Sequence, residues 1–164
     1  MITFLKANNE AHFTTIAFLA TTIWEEHYTP IIGENQVAYM LQRFQSAKTI
    51  SAQVKEGYQY FILMFKTTAI GYIAIQKRDS SLFISKIYVL KLERGKGFGK
   101  NALHFIETKA TNLICDTICL TVNKNNAVAI KAYEALGFKN IRSVVMDIGN
   151  GFVMDDFVME KSLK

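Results

Sequence analysis

Proline is nearly missing from this 164-residue chain, Pro30 being the only one, and no proline-, glycine- or serine-rich linker or internal repeat is visible. Cysteine is almost as scarce. Cys115 and Cys119 are the only two, which excludes a disulfide-stapled scaffold. Their i, i+4 spacing invites a metal reading, but with three histidines in the chain and no His/Cys cluster, two buried structural thiols beside a strand fit better. No metal is expected. Long apolar runs are also absent: the longest, Tyr60–Phe65, is strand length, far below the roughly 20 residues of a membrane-spanning helix. The Thr14–Trp24 stretch resembles a signal core only faintly, being interrupted by threonines and lacking a small-residue cleavage site. A reduced, cytoplasmic protein with no membrane partner is the expectation.

What is present describes one ordinary globular domain spanning 1–164. Half of the residues are hydrophobic and 20% are charged, which excludes disorder. The formal net charge is +5, and its distribution is uneven. Residues 83–142 carry 10 basic and 4 acidic groups, whereas residues 143–164 carry 2 basic and 4 acidic. A local excess of this kind suits a polyanion, either nucleic acid or a phosphorylated cofactor. The lysines are dispersed among apolar residues with no nucleic-acid module, so no nucleic-acid partner is expected.

Periodicity and punctuation predict the elements. Ile2–Leu5 reads as a strand, and Ala11–Tyr28 and Asn35–Lys48 as helices broken at Pro30–Gly33. Tyr58–Phe65, Ala69–Gln76 and Leu82–Leu90 read as three strands. The turn Gly95–Gly99 leads into a helix over Lys100–Thr111, then a strand over Thr117–Val122. Asn126–Leu136 reads as a helix closed by Gly137, and Phe138–Val145 with Phe152–Met159 as an antiparallel pair. The order β-αα-βββ-α-β-α-ββ predicts an α/β fold on a mixed, mostly antiparallel sheet flanked by helices.

The segment Ile87-Tyr-Val-Leu-Lys-Leu-Glu-Arg-Gly-Lys-Gly-Phe-Gly-Lys100 is the most informative. A strand enters a turn of three glycines, and a helix follows. Amides at a helix start lack intrahelical acceptors, and glycines let an anion approach them closely. Arg94, Lys96 and Lys100 add charge, although a tight connection with solvated lysines reads equally well from the turn alone. The spacing fails the P-loop, because Asn101 follows Gly99-Lys100 where a hydroxyl is needed, and it fails the dinucleotide pattern Gly-x-Gly-x-x-Gly.

The pattern Gln/Arg-x-x-Gly-x-Gly/Ala is met by Arg94, Gly97 and Gly99, and Asn126, Ala129, Tyr133, Gly137 and Phe138 fit a second pattern, Asn-x-x-Ala-x-x-x-Tyr…Gly-Phe. On these two motifs the chain resembles the GCN5-related N-acetyltransferase (GNAT) superfamily. The resemblance implies acetyl transfer from acetyl-CoA to an amine by direct attack. It implies a pyrophosphate cradle at Arg94, Gly95, Lys96, Gly97, Phe98, Gly99 and Lys100, and a pantetheine arm along Ile87 and Val89. The Val89 amide would polarise the thioester carbonyl, the kind of oriented donor that stabilises an oxyanion by a few kcal/mol. Asn126 would contact the cofactor arm, a role compatible with capping its helix. Tyr133 would protonate the departing thiolate, whose parent thiol has a pKa of about 8.5 by comparison with cysteine. A plain aromatic on a buried helix face is the alternative for Tyr133.

A primary amine of pKa about 10.4 is neutral in only about one molecule in a few thousand at pH 7, so its proton must be removed. Trp24, Glu25, Glu26, His27 and Tyr28, at the end of the first long helix, fall where the family places its acceptor. The base stays open among Glu25, Glu26, His27 and Tyr28, each of which also reads as part of a solvated helix end. Trp24–Tyr28, Glu34–Leu41 and Asp155–Leu163 are similar to the corresponding parts of bacterial spermidine/spermine acetyltransferases, which implies a small polyamine or diamine acceptor. Glu25, Glu26, Glu34, Asp147, Asp155 and Asp156 would suit such a cation, and read equally well as ordinary surface charge. Acetylation of a protein N-terminus or lysine is the alternative, and a non-catalytic CoA-binding module a further one. A homodimer is compatible with the resemblance.

Overall fold

The computed structural model describes residues 2–164. The chain runs β1 (Ile2–Lys6), α1 (Glu10–Ile32), α2 (Glu34–Phe44), α3 (Ala47–Lys55), β2 (Gln59–Phe65), β3 (Thr68–Arg78) and β4 (Ser81–Val89). A 3-10 turn at Lys91–Glu93 follows, then α4 (Phe98–Asn112), β5 (Thr117–Asn123), α5 (Ala127–Ala135), β6 (Lys139–Gly149) and β7 (Phe152–Ser162). The strands form one mixed sheet in the order β1-β2-β3-β4-β5-β7-β6. This is the expected α/β architecture with helices flanking a mixed sheet.

Two compact units are distinguishable, one of residues 1–76 with 86–106, the other of residues 77–85 with 107–164. In the first, α1 opens where the Asn9 side chain accepts from the His12 amide at 3.0 Å. Ile16, Leu19, Ala20, Ile23 and Trp24 recur at helical spacing and are buried. Thr15, Thr21 and Thr22 return their hydroxyls to carbonyls four residues back, which lets threonine persist in a helix. Pro30 does not break α1 as expected from sequence. It lies in the last turn, where its missing N–H costs one bond to the Glu26 carbonyl, and the helix ends at Gly33 with φ 90°. The second expected helix is two: α2 stops at Gln45, and Ser46 caps α3 by accepting from the Thr49 amide at 3.2 Å.

The strands of this unit are covered on both faces, so β2 reads as a continuous apolar run with Tyr60–Leu63 all buried. On one face Phe61 and Phe4 meet Phe105 of α4, at ring separations of 5.0 and 4.1 Å. On the other, a buried polar cluster ties the α2–α3 corner to the strands. The Tyr72 hydroxyl donates to Gln45 Oε1 at 2.7 Å, Gln45 Nε2 donates to the Tyr60 hydroxyl at 3.2 Å, and Tyr60 donates to Gln53 at 2.5 Å. Burial raises the Tyr72 phenol well above its usual range and pushes Tyr60 up to about 12, so both stay protonated donors.

In the second unit β5 pairs parallel with β4 over Ser81–Ile84 and antiparallel with β7 along its whole length. Ile118, Leu120 and Val122 are buried at alternate positions. The β6–β7 hairpin turns at Asn150-Gly151, both with positive φ (55° and 79°), the geometry a two-residue hairpin loop demands. Cys115 is buried as expected, whereas Cys119 is only half-buried, on the less covered face of β5, with its Sγ 3.3 Å from the Ser81 hydroxyl. Among the described residues no His/Cys/Asp/Glu group could hold a metal ion, and no helix is long and apolar enough to cross a membrane.

Candidate active site

The first unit carries the glycine turn. Beyond Val89, the Leu90 amide donates to the Ile70 carbonyl at 2.8 Å, which holds the end of β4 against β3. The approach is so close that a Cβ on Gly71 would overlap the Tyr88 carbonyl oxygen and sit 3.0 Å from Val89 Cα. Ile87 and Val89 are half-buried. Arg94 turns back, its Nε donating to the Val89 carbonyl at 3.1 Å, so the guanidinium braces the strand end. Lys96 pairs with Glu93 at 3.0 Å.

Gly95 and Gly97 adopt φ 79° and 83°, which side-chain-bearing residues enter only with strain. The helix α4 then starts at Phe98, earlier than the expected Lys100, so the amides of Phe98, Gly99 and Lys100 have no intrahelical acceptor. The Phe98 ring itself is buried against Phe65 at 5.1 Å, leaving its backbone as the part that can face a ligand. A Cβ at Gly95, Gly97 or Gly99 would meet nothing within 4 Å, so the turn presents bare backbone to open space. Amides, a helix start and the exposed Lys96 and Lys100 make a chemically suitable seat for a pyrophosphate.

The same unit gathers an aromatic floor. Trp24 is buried at 2% exposure and meets Tyr28 and Tyr88 edge-on at 5.7 and 5.8 Å. The Tyr28 and Tyr88 hydroxyls lie 3.0 Å apart, and the His27 ring packs on Tyr28 at 4.8 Å. Lys86, two residues before Tyr88 and thus on the same face of β4, places its ammonium 5.9 Å from the Trp24 ring. Burial lowers the Lys86 ammonium to about 8. Glu25 and Glu26, by contrast, are exposed. Tyr88 and Lys86 were not singled out from sequence. Their signal was the two-residue alternation of β4, which sets 86 and 88 on one side and 87 and 89 on the other.

The second unit holds the other motif. Asn126 is buried at 5% exposure and caps α5, its Oδ1 accepting from the Ala129 amide at 3.3 Å. Tyr133 is half-buried with its ring edge-on to Phe138 at 5.6 Å, so it is not a core aromatic. Gly137 closes α5 at φ 97°. Asp156 of β7 is buried at 5% exposure, and burial, helped by neighbouring Asp155, raises its carboxyl to about 6. The other acids of the C-terminal stretch, Asp147 and Asp155, are exposed.

No protein of curated function matches the sequence. Among solved structures, the PaiA N-acetyltransferase of Thermoplasma acidophilum, determined in complex with coenzyme A, superposes with a TM-score of 0.82 at 20% identity, covering 99% of both chains. A GCN5-related N-acetyltransferase fold from Rhodopseudomonas palustris gives 0.82 at 15% identity, over 99% of this chain and 95% of that one. A ribosomal-protein alanine N-acetyltransferase of Escherichia coli gives 0.74 at 18% identity, over 100% and 95%. These likenesses establish the fold. Residues 17–138, which contain both the glycine turn and the Asn126–Phe138 segment, match the acetyltransferase (GNAT) family, and the chain belongs to that family as an acetyl-CoA-dependent N-acetyltransferase.

Proposed function

We propose that the chain acetylates a small primary amine, a diamine or polyamine, by direct attack of the amine on the acetyl-CoA thioester. The observation that carries this reading is the strand–turn–helix from Val89 to Lys100, with Gly95 and Gly97 left-handed and three unpartnered helix-start amides beside open space. In this reading the backbone of 94–100 holds the pyrophosphate, and Ile87 and Val89 line the pantetheine arm. The Val89 N–H donates to the thioester oxygen as negative charge develops there. Asn126, from its cap position, contacts the arm.

The amine nitrogen forms the C–N bond as the C–S bond breaks, and the Tyr133 hydroxyl gives its proton to the leaving sulfur. Tyr133 then recovers a proton from the attacking nitrogen, so the phenol is restored. Trp24, His27 and Tyr28 supply the acceptor floor, and the exposed Glu25 and Glu26 with Glu34 hold the distal charges of a polyamine. Lys86 beside that floor disfavours a second cation there, which lowers the pKa of the attacking ammonium.

The test is free-thiol release from acetyl-CoA with spermidine, spermine, putrescine, and peptides bearing a lysine or a free N-terminus. Turnover on the polyamines and not on the peptides is the expected result. Turnover on peptides alone would replace the small-amine acceptor with a protein one.

A further inference from the structure

Asp156 is a charge at a core position. Along β7 the side chains of Met154, Asp156 and Val158 share one face, and Val158 is buried beside it. Its cross-strand neighbours are Asn123 of β5 and Val144 of β6. Diagonal to it stand Thr121 and Arg142, each about 7–8 Å away by ordinary sheet geometry. Lys124 is the cation nearest in sequence to that corner. Its Nζ is bound to Asp155 at 2.7 Å and lies 5.6 Å from the Phe157 ring. Among the described residues no hydrogen bond or ion pair to the Asp156 carboxyl is formed; Lys124 acts on it only through its charge, and its oxygens are not among the polar atoms sealed from solvent without a partner. Burying a carboxylate without such partners is costly, so a sheet that keeps one there gains nothing in stability from it. The place is also specific: Asn123 ends β5, and three residues further on comes the Asn126 cap of the helix that carries Tyr133.

We infer that Asp156 is the proton acceptor for the incoming amine, pairing with its ammonium and taking one proton before attack. This rests on the acetyl-transfer reading above. The step balances: R–NH3+ and the Asp156 carboxylate become R–NH2 and the carboxylic acid, which later returns the proton to solvent. A carboxyl raised toward neutrality by burial is a better base than one on the surface. Glu25 and Glu26, the carboxylates of the sequence-based candidate set, lie exposed and have no such tuning.

The experiment compares wild type with Asp156→Asn and Asp156→Glu, using the best amine of the panel and the weakly basic acceptor trifluoroethylamine. Expected for Asp156→Asn is a loss of about 10²–10⁴-fold in kcat/KM with the basic amine, and loss of the acid limb of the pH profile. Acetyl-CoA affinity should be unchanged, Asp156→Glu should recover part of the rate, and trifluoroethylamine, which arrives deprotonated, should be spared. Equal losses on both acceptors, or an unaltered pH profile, would overturn the assignment. If wild type acetylates only peptides, the small-amine reading falls, and the same comparison on the peptide still decides Asp156. As a readout free of turnover, the Asp156 carboxyl titration followed by NMR should move to lower pH when putrescine is added; an unmoved titration also overturns the proposal.

Discussion

Gly71→Ala tests whether the end of β4 is held where the acetyl-transfer reading needs it. The added methyl would overlap the Tyr88 carbonyl oxygen and lie 3.0 Å from Val89 Cα. Both obstacles are backbone, so no side-chain rotation relieves them. Either β3 and β4 separate locally or the Leu90 to Ile70 hydrogen bond at 2.8 Å stretches. Overpacking of this kind costs about 1–3 kcal/mol. In a protein of this size each kcal/mol moves the melting temperature by about 2–4 °C, so a fall of about 2–12 °C is expected. The displaced element carries Val89, and a misaligned oxyanion donor costs about 10²–10³-fold in kcat. Differential scanning fluorimetry and steady-state thiol release on the same preparation check both figures. A variant that melts within 1 °C of wild type, an order-of-magnitude threshold set below the smallest expected shift, and turns over normally would refute the reasoning.

Four further outcomes follow from the geometry. Tyr133→Phe should lower kcat by about 10²–10⁴-fold while calorimetric acetyl-CoA affinity holds, and an unchanged kcat would remove the phenol from the mechanism. Gly97→Ala, at φ 83°, should cost about 1 kcal/mol or more in chemical denaturation, whereas Gly99→Ala, in open space at an ordinary φ, should leave stability alone and raise only the KM for acetyl-CoA. Gln45→Leu leaves the buried Tyr72 hydroxyl without its 2.7 Å acceptor and should cost about 1–3 kcal/mol; adding Tyr72→Phe should recover part of that loss in a double-mutant cycle. Lys86 has a folded pKa of about 8, below its usual 10.5, so the folded state disfavours its charged form and Lys86→Met should raise the melting temperature at pH 7. That advantage should shrink as pH rises from 8 through 10.5, where both states lose the proton, and a pH-independent difference would contradict it.

The order of elements was legible because its signals are local. Strand alternation, the caps at Asn126 and Gly137, and the two family motifs each sit within a few residues of the structure they specify. The misreadings have physical causes. Pro30 was taken as a breaker, yet in a final turn a proline removes a single hydrogen bond, and the Gly33 conformation sets the end. The Ser46 cap was hidden inside an unbroken helical pattern, so α3 was missed. The glycine turn was legible from its spacing, and the roles proposed for it and for Tyr133 come from the resemblance of the two motifs to the family. Tyr88 and Lys86 escaped, and Asp156 was read only as one of six acids suited to a cation, because what sets these three apart is which face of a strand they occupy and what is buried around them. A tertiary environment sets both, and residue spacing does not. Asp156 did leave one trace, an acid in phase with the apolar positions of a strand.

The first compact unit runs through residues 1–76, leaves off, and resumes at 86–106; the second takes the hairpin tip at 77–85 and everything from 107 onward. Neither is a contiguous stretch of chain, so no single cut separates the two with both intact. A truncation after Gln76 would lack the Lys86–Val89 strand end and the glycine turn, and one beginning at Glu107 would lack the Ser81–Ile84 partner of β5. During synthesis the earlier unit cannot close until residue 106 has left the ribosome, by which time the hairpin belonging to the later unit is already made. The second unit still waits for residues 107–164, and a protease seeking a linker between the two finds three crossings instead of one.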